Sequence, residues 1–482
     1  MNTAYPMYEW IDLPWNRIQR SVYKLQARIY RASSRGDVKT VRRLQRLLYK
    51  SWAARCLAAR RVTQDNVGKK TAGIDGLKSL SPKLRLILVI SLAKHRGKPA
   101  PVRRTWIEKR GTDEKRPLGI PTMFDRAHQA LTKLVMEPEW EARFEPNSYG
   151  FRPGRSAHDA IVQIHTCISQ QPKWVLDADI AKCFDRIDHE ALLNKLDTTP
   201  TLRRLIKGWL KAGVIDWTAY AERKESKGYS PTDKGTPQGG VISPLLANIA
   251  LHGLEMRIKQ AFKDAHVVRY ADDFVIMHKD LAVVQKCQDI ITEWLSNMGL
   301  ELKAAKTRIA HTLNPVEGKV GFNFLGFEIK QYMMGKRHRN KSGQEFKTNI
   351  KPSKELQKRH YQALAEIVET HKTATQAELI NRLNPVIRGW CNYVSSQVSK
   401  EVMSKMSSLL YIKLRAWARR RHPKKNAHWY VDKYYQTIGD RNWVFATKDR
   451  KHILYVHNDT PVVRHVKVVG ERSPYDGDWV YW

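Results

Sequence analysis

The sequence predicts an α+β chain in which a mixed core lies between two helical regions. Residues 1–60 carry apolar side chains at three- and four-residue spacing, which is typical of helices. Between about 100 and 330, short runs rich in Val, Ile and Phe alternate with helical stretches without a regular repeat, which indicates a mixed core and not a solenoid. Beyond residue 330 helices return, and the last sixty residues mix aromatic and β-branched strands with loops.

Net charge is the most informative feature of the composition. The 482 residues, enough for about three domains, include 85 Lys and Arg against 47 Asp and Glu, a formal net charge of +38. A surplus of this size destabilises a compact state by self-repulsion, so it normally indicates a polyanionic partner. That partner is either nucleic acid or an anionic membrane.

The sequence gives little support for a membrane protein, a zinc-binding protein or a protein stabilised by disulfides. The longest apolar run, Leu86–Ala93, is far shorter than the roughly 20 residues of a membrane span. The five cysteines are scattered without a CxxC pair, which argues against a disulfide framework and a cysteine-rich zinc site. The first residues lack the apolar segment of a signal peptide. We therefore expect a nucleic-acid-associated protein of the bacterial cytoplasm, with no membrane partner and no zinc.

The first segment is the basic helical region of residues 1–76. It holds 16 basic and 5 acidic side chains, a net charge of +11, and clustering at this density favours a surface that faces phosphates. Its last part, Gly68–Gly76, is a glycine-punctuated loop that separates this region from the next.

Two apolar segments of the mixed core are interrupted by carboxylates. In Trp174–Asp188, Asp177 and Asp179 alternate with apolar residues, so both acids point to one face of a strand. In Val267–Met277, two apolar runs flank Ala271, Asp272 and Asp273, which suits two antiparallel strands that meet at a tight turn.

Carboxylates beside buried strands are costly unless a cation neutralises them, and oxygen ligands with substrate phosphates suit Mg²⁺. A lone Asp pair would more simply be a turn or a cap. Two such segments in a chain of this charge instead predict a pair of Mg²⁺ ions about 3.5–4 Å apart, which serve nucleotidyl transfer.

The motifs resemble one family. Tyr270–Asp273 (YADD) resembles the YxDD hairpin of reverse transcriptases, and Asp179, five residues before Phe184, resembles the first catalytic strand of their palm. Further blocks follow in the order of that family: Arg116–Ala130, Asn147–Ile161, Gly235–Leu251, Gly299–Ile309 and Phe322–Ile329. The wording of RPLGIP, SYGFRPGRS and GTPQGGVISPLLAN is that of group II intron-encoded proteins, and LNPVIRGWCNYV followed by WARRRHP resembles their maturase domain X.

The resemblance implies a right-hand polymerase fold with an antiparallel palm sheet, a helical thumb and a small basic C-terminal region. The implied segments are an N-terminal extension (1–76), fingers and palm (77–330), thumb or domain X (331–423) and a DNA-binding region (424–482). Many relatives continue into a cysteine-containing HNH nuclease, and the lack of CxxC leads us to expect no such module here.

The resemblance also implies the site. Asp179, Asp272 and Asp273 would be catalytic and bind two Mg²⁺, and Phe184 would lie under the sugar and exclude a 2′-hydroxyl. Other expected nucleotide contacts are Lys109, Arg116, Gln238 and Lys306. The expected primer grip is Phe324, Leu325 and Gly326. The expected RNA contacts are Lys69, Lys70, Arg415, Arg419, Arg420 and Arg421. Asp177, Asp185 and Asp188 are expected to be structural.

The implied function is an RNA-directed DNA polymerase and maturase. It would bind group II intron RNA, assist splicing, and copy the intron with dNTPs after insertion into target DNA. One alternative is a maturase with an idle polymerase site, which the intact aspartates disfavour. Another is a host-domesticated or CRISPR-linked reverse transcriptase, which the domain X match disfavours.

Overall fold

The computed structural model of the protein describes residues 9–94, 97–108, 115–216, 228–335 and 343–482. By their internal contacts the residues form two compact units. Unit 1 comprises Met1–Ala160, Leu176–Arg308 and Val468–Trp482, and unit 2 comprises Ile161–Val175 and Ile309–Lys467. Of the helices in the described ranges, none has the length and apolar character that a bilayer crossing requires.

The α-helices of the described residues confirm the helical regions predicted at both ends. They are α1 (Trp15–Ser34), α2 (Val38–Lys50), α3 (Trp52–Arg60), α4 (Pro82–Lys94), α5 (Met123–Glu141), α6 (Ala157–Ile168), α7 (Cys183–Arg186), α8 (His189–Leu196), α9 (Pro200–Leu210), α10 (Ser243–Leu251), α11 (Leu254–Ala261), α12 (Leu281–Ser296), α13 (Lys354–Thr370), α14 (Gln376–Val394), α15 (Lys400–Arg421) and α16 (Ala427–Tyr434).

The strands lie mainly in the predicted mixed core. They are β1 (Val102–Glu108), β2 (Lys115–Ile120), β3 (Trp174–Asp179), β4 (Val214–Asp216), β5 (Tyr229–Ser230), β6 (His266–Tyr270), β7 (Asp273–His278), β8 (Arg308–His311), β9 (Phe322–Phe324), β10 (Phe327–Met333), β11 (Phe346–Pro352), β12 (Tyr435–Ile438) and β13 (Arg441–Phe445).

Unit 1 is organised around α5. Almost every side chain of this helix is buried, and α1, α2 and α3 pack against it. The apolar stripe of α1, which includes Ile18, Val22 and Ile29, is buried, so its basic residues lie on the other faces. Asp37 begins α2 by accepting a hydrogen bond from the Thr40 amide, a standard N-cap.

Two four-stranded sheets position the chemistry. One has the order β2-β1-β4-β5, with β1 and β2 antiparallel from Arg103↔Ile120 to Glu108↔Lys115. The other has the order β6-β7-β3-β8, with β6 and β7 antiparallel. This hairpin confirms the predicted pair of strands meeting at a tight turn. Phe274–Met277 of β7 are fully buried, which explains why this run is continuously apolar.

Unit 2 contains the sheet β11-β10-β9 and the helices α13, α14 and α15, which confirm the helices predicted beyond residue 330. The C-terminal prediction was partly wrong, because α16 precedes the β12–β13 hairpin and the described residues after Phe445 form no further named strand. Valines at 462, 463, 466 and 469 favour strands, but strand propensity needs a neighbouring strand. The assignment of the four segments to an N-terminal extension, fingers and palm, thumb, and DNA-binding region stays a prediction.

Candidate active site

The β6–β7 hairpin carries two of the predicted acids at its tip. Tyr270 pairs with Asp273, so Ala271 and Asp272 form a two-residue turn. Ala271 has φ +57°, and a positive φ at the first turn residue matches the twist of a tight hairpin. Asp272 therefore lies in the turn, and Asp273 is the first residue of β7.

A loop packed against the hairpin fixes its position. The Tyr149 amide donates to the Arg269 carbonyl (2.9 Å), and the Arg269 amide donates to the Asn147 carbonyl (2.9 Å). A Cβ on Gly150 would lie 2.3 Å from the Ala271 nitrogen, so only glycine allows this approach. Asn248 Nδ2 donates to the Gly150 carbonyl (2.8 Å), which holds the loop from its other side.

Arg269 is a buried cation that the sequence interpretation missed. Its Nη1 donates to Asn248 Oδ1 and to the Ala271 carbonyl, both at 3.1 Å, and so braces the turn from below. Burial lowers the pKa of Arg269, with the carboxylate of Glu145 acting against the shift. The available signal was an arginine inside an otherwise apolar strand, directly before the YADD motif.

The third acid, Asp179, ends β3 and contacts Lys306. Lys306 Nζ donates to Asp179 Oδ2 at 2.6 Å, and the Lys303 amide donates to the Asp179 carbonyl at 2.8 Å. On the same strand, Asp177 forms an ion pair with Arg308 (3.1 Å). Asp177 therefore has a structural partner, whereas Asp179 contacts Lys306, one of the predicted nucleotide contacts.

The carboxylates repel one another. Burial raises the pKa of Asp273, and the charges of Asp179 and Asp272 raise it further, to about 7. Burial also raises the pKa of Asp272, as does Asp179, while Lys306 and Arg116 oppose the shift. The three acids are thus close enough to interact, and the neighbouring cations do not compensate their combined charge.

A divalent cation suits this donor set. Within the described residues, no three His, Cys, Asp or Glu side chains converge as a ready chelate, and the ammonium group of Lys306 lies against Asp179. The donors are carboxylate oxygens with an excess of negative charge, the ligands that Mg²⁺ prefers together with water and substrate phosphates. The residues present therefore fit a hard divalent cation.

A cavity of about 260 Å³ is lined by two of the five predicted nucleotide contacts. Phe184 and Gln238 line it together with Arg104, Pro117 and Asp185. Gln238 Nε2 lies 3.4 Å from both carboxylate oxygens of Asp185, which also lines this cavity. The structural role expected for Asp185 stays a prediction. Asp188, by contrast, caps α8 by accepting from the Ala191 amide (2.8 Å).

Glycines allow the cavity walls to approach each other. A Cβ on Gly239, which has φ +117°, would lie 2.8 Å from the Gly119 carbonyl oxygen. Across this contact the Gly119 amide donates to the Gln238 carbonyl (2.8 Å). Arg116 is exposed on β2 and paired with Ile107, and Lys109 lies outside the described residues.

The predicted primer grip is a second tight hairpin, in unit 2. Leu325 (φ +49°) and Gly326 (φ +82°) form the turn between β9 and β10. Tyr393 Oη donates to the Leu325 carbonyl (2.7 Å), which fixes the turn to α14. The Phe324 side chain is buried, so Leu325 and Gly326 form the accessible part of this motif.

The predicted RNA contacts differ in solvent exposure and in the hydrogen bonds that they make within the protein. Lys70, Arg415, Arg419 and Arg420 are exposed. Lys69 Nζ donates to the Gln64 carbonyl. Arg421 Nη1 donates to the carbonyls of Lys372 (3.0 Å) and Ala374 (2.9 Å), which binds the α13–α14 connection to α15. These internal bonds give Lys69 and Arg421 structural roles that the sequence did not indicate.

Comparison with known families accounts for most of the chain. A family model described as "Reverse transcriptase (RNA-dependent DNA polymerase)" matches residues 107–329. The "N-terminal domain of reverse transcriptase" matches residues 10–92. The "Group II intron, maturase-specific domain" matches residues 357–435. The matches follow the order of the predicted segments.

Curated relatives give the same picture. The chain is 31% identical to Protein YkfC of Escherichia coli (strain K12) over 336 residues, 60% of this chain and 83% of the relative. It is 29% identical to the group II intron-encoded protein LtrA of Lactococcus lactis subsp. cremoris over 417 residues, and it spans 66% of that relative. Among solved structures, an apo telomerase from Candida Tropicalis aligns with a TM-score of 0.37 and 14% identity, covering 48% of this chain and 53% of that one.

Proposed function

The chain belongs to the family of group II intron reverse transcriptases and maturases, and we propose that its three clustered aspartates catalyse RNA-templated DNA synthesis. The enzymatic domain of the chain is the segment that matches the reverse transcriptase family, residues 107–329. The observation that carries the proposal is geometric: β7, which begins at Asp273 directly after the turn residue Asp272, lies next to β3, which ends at Asp179. In agreement with this placement, burial and the charges of Asp179 and Asp272 raise the pKa of Asp273 to about 7. Such an arrangement is costly in a structural role and useful for binding cations.

The proposed metal ligands are these three aspartates. Two Mg²⁺ ions bound there would activate the primer 3′-hydroxyl and neutralise charge on the leaving pyrophosphate. Lys306, whose ammonium group contacts Asp179, lies where it could also contact the phosphates of a bound nucleotide. The braced hairpin would keep Asp272 and Asp273 in position, so little reorganisation accompanies the reaction.

The dNTP is proposed to occupy the cavity beside Phe184. The ring of Phe184 would lie under the sugar, where a 2′-hydroxyl would collide with it. Gln238 would support the nucleotide from the turn that Gly239 brings close to β2. The charge of Arg116 acts to lower the pKa of Asp272. Arg116 would contact the triphosphate together with Lys109, as a pair of cations.

The maturase activity is proposed to rest on unit 2. The last turns of α15 expose Arg415, Arg419 and Arg420 while Leu414 and Trp417 are buried, so the helix has a core face and a phosphate-binding face. The match to the maturase-specific domain and the similarity to LtrA support group II intron RNA as the partner. We propose that the protein assists splicing of this RNA and copies it during retrohoming, with residues 424–482 contacting target DNA.

Primer extension tests the polymerase. With an RNA template, Mg²⁺ and dNTPs, the wild-type protein should extend a DNA primer, and the double variant Asp272→Ala/Asp273→Ala should not, because it has lost two of three metal ligands. RNA affinity and assistance of splicing should be retained in this variant, since the proposed RNA contacts are elsewhere.

The matched control is Asp289→Asn, an exposed acid on α12 away from the predicted motifs. It removes one negative charge and should extend at the wild-type rate. Synthesis that persists in the double variant would rule out the assigned site, and loss of splicing assistance together with synthesis would place the RNA contacts at the palm.

A further inference from the structure

Unit 2 contains a cavity of about 450 Å³ between α15 and the β12–β13 hairpin, which has no part in the proposed polymerase site. Its volume is that of a small-molecule site. Tyr411 and Leu414 of α15 line one side, and Tyr435, Trp443 and Phe445 of the hairpin line the other. The maturase-specific model ends at residue 435, so Trp443 lies beyond the matched segment.

Two aromatic rings of this cavity are arranged to receive a planar group. The rings of Tyr411 and Trp443 are nearly parallel, with an interplanar angle of 8°, and their centroids are 6.5 Å apart. Stacked bases follow one another at about 3.4 Å. The planes of the two rings can be no further apart than the 6.5 Å between their centroids, so a flat group that stacks on both rings would move them slightly apart. A flat heterocycle that enters between the rings would contact both of them.

Trp443 is held in an unfavourable state. Its side chain is 62% exposed, and its backbone has φ +63°, a region that residues other than glycine rarely adopt. Thr437 Oγ1 donates to Asn442 Oδ1 (3.0 Å) and ties the two strands together beside it. The register of the two strands shifts between Gln436 and Ile438, and a bulge of this kind accommodates the positive φ of Trp443 and changes the direction of its side chain.

Two hydroxyl groups of the cavity lack partners. Tyr435 is 5% exposed, and neither its hydroxyl nor that of Ser407 finds a hydrogen-bond partner among the described residues. Both residues line the cavity. An unpaired buried polar group is costly, so a ligand that supplies donors and acceptors would remove this cost. A purely apolar ligand would leave both hydroxyls unpaired.

The surrounding charge favours a nucleotide. Arg415 is exposed one turn after Tyr411, and its guanidinium carbon lies 5.8 Å from the centre of the Tyr411 ring. It can therefore bind a phosphate attached to a group that stacks on that ring. Arg441, at the other side, is engaged by Asp459. The cavity thus offers stacking faces and hydrogen-bonding edges, and the Arg415 guanidinium lies beside one of its aromatic rings.

We propose that this cavity binds one unpaired nucleobase of an RNA, stacked between Tyr411 and Trp443, with its edge toward the hydroxyls of Tyr435 and Ser407 and its phosphate toward Arg415. The inference rests on the proposed function in that RNA is the partner. It assigns Tyr435 and Trp443, which lie within the segment 424–482 proposed to contact target DNA, to RNA instead. It adds a defined base-binding site to the exposed arginines, which contact only the backbone. Unpaired bases are the usual elements by which proteins recognise an RNA sequence, and aromatic stacking is the usual contact.

The probe for this site is an RNA hairpin with a single bulged 2-aminopurine, whose fluorescence falls when it stacks. The full-length wild-type protein should quench the probe, and Trp443→Ala should weaken binding roughly 5- to 150-fold, the range that corresponds to loss of one stacking contact. Trp443→Phe keeps a ring and should retain most of the affinity. The matched control is Trp52→Ala, which removes a tryptophan that is also exposed and lies on α3.

Tyr435→Phe separates a base from an apolar occupant. Loss of a hydroxyl that binds a base edge should weaken binding several-fold, whereas an apolar segment of another protein would bind the variant equally well or better. Equal affinities of Trp443→Ala and Trp52→Ala, or unchanged affinity of Tyr435→Phe, would overturn the proposal. Primer extension is measured separately on the same wild-type preparation. A protein that extends the primer but does not bind the bulged base would contradict this inference alone. A protein that binds the base but does not extend the primer would contradict only the proposed polymerase activity.

Discussion

At the scale of single residues, Gly150 controls where the catalytic turn lies. Gly150→Ala would bring a methyl group against the Ala271 nitrogen and the Tyr270 carbonyl carbon, both backbone atoms that cannot rotate away. We expect the turn to shift and the rate of primer extension to fall about 100-fold, since displacements near 1 Å cost that much. Single-turnover extension measures this.

The matched control for Gly150→Ala is Gly389→Ala on α14. A Cβ there meets no atom within 4 Å, and alanine is the better helix former, so extension should continue at the wild-type rate. Wild-type extension by Gly150→Ala would show that the loop does not position the turn.

Phe184 makes a second prediction at this scale. Phe184→Ala should let ribonucleotides compete with dNTPs, because the ring proposed to collide with the 2′-hydroxyl is gone. The measurement is the ratio of kcat/KM for dNTP and NTP incorporation.

Phe151 lies at the edge of the same ring, 6.0 Å between centroids, and Phe151→Ala is the comparison. If the discrimination ratio is unchanged in Phe184→Ala and lost in Phe151→Ala, Phe151 forms the gate.

At the scale of elements, the end of α5 holds three distant parts of unit 1 through buried acids. Glu139 contacts Arg42 of α2 (3.3 Å), and Glu137 accepts from Tyr475 Oη (2.9 Å) in the C-terminal segment. Glu141 pairs with Arg152 (2.9 Å) in the loop that reaches the catalytic turn. Burial raises the pKa of Glu139 and of Glu141, so these pairs depend on close geometry.

The Glu141–Arg152 pair gives an element-scale prediction. Both side chains are 1% exposed, and Arg152 Nη1 also donates to the carbonyls of Glu145 and Ser148, both at 2.7 Å. Arg152→Met leaves Glu141 buried without a partner and should lower the free energy of unfolding by about 3–5 kcal/mol. Urea denaturation measures it.

The double variant Arg152→Met/Glu141→Met tests the cause. Replacing both charges by apolar groups removes the uncompensated carboxylate, so most of the lost stability should return. If the double variant is as unstable as Arg152→Met alone, the arginine acts through its bonds to the loop carbonyls and not through the ion pair.

Sequence patterns predicted elements well where the pattern is local. The spacing of apolar residues indicated α13, α14 and α15, and the acids between apolar runs indicated the β6–β7 turn. Contacts between distant segments could not be predicted in this way. The support that Arg269 gives the turn and the carbonyls that Arg421 binds depend on which segments fold against each other, and no local pattern contains this information.

At the scale of the whole molecule, the net charge of +38 indicated a polyanionic partner, nucleic acid or an anionic membrane, and the match to the maturase-specific domain supports nucleic acid. The net charge did not indicate which basic side chains are available for such a partner. Many basic side chains bind carbonyls or acids of the protein itself, as Lys69 and Lys306 do. The cavity beside Trp443 could not be predicted from the composition either, because its walls come from a helix and a hairpin that are separated in sequence.

The proposed polymerase activity depends most on cation binding by the three aspartates. Electron paramagnetic resonance of Mn²⁺, which replaces Mg²⁺ at oxygen sites, counts bound ions in the complex with a primer lacking its 3′-hydroxyl, an RNA template and dNTP. We predict about two bound Mn²⁺ per wild-type chain and fewer than one in Asp272→Asn/Asp273→Asn, with Asp289→Asn like the wild type. Equal numbers of bound Mn²⁺ in the wild type and the double variant would contradict the account.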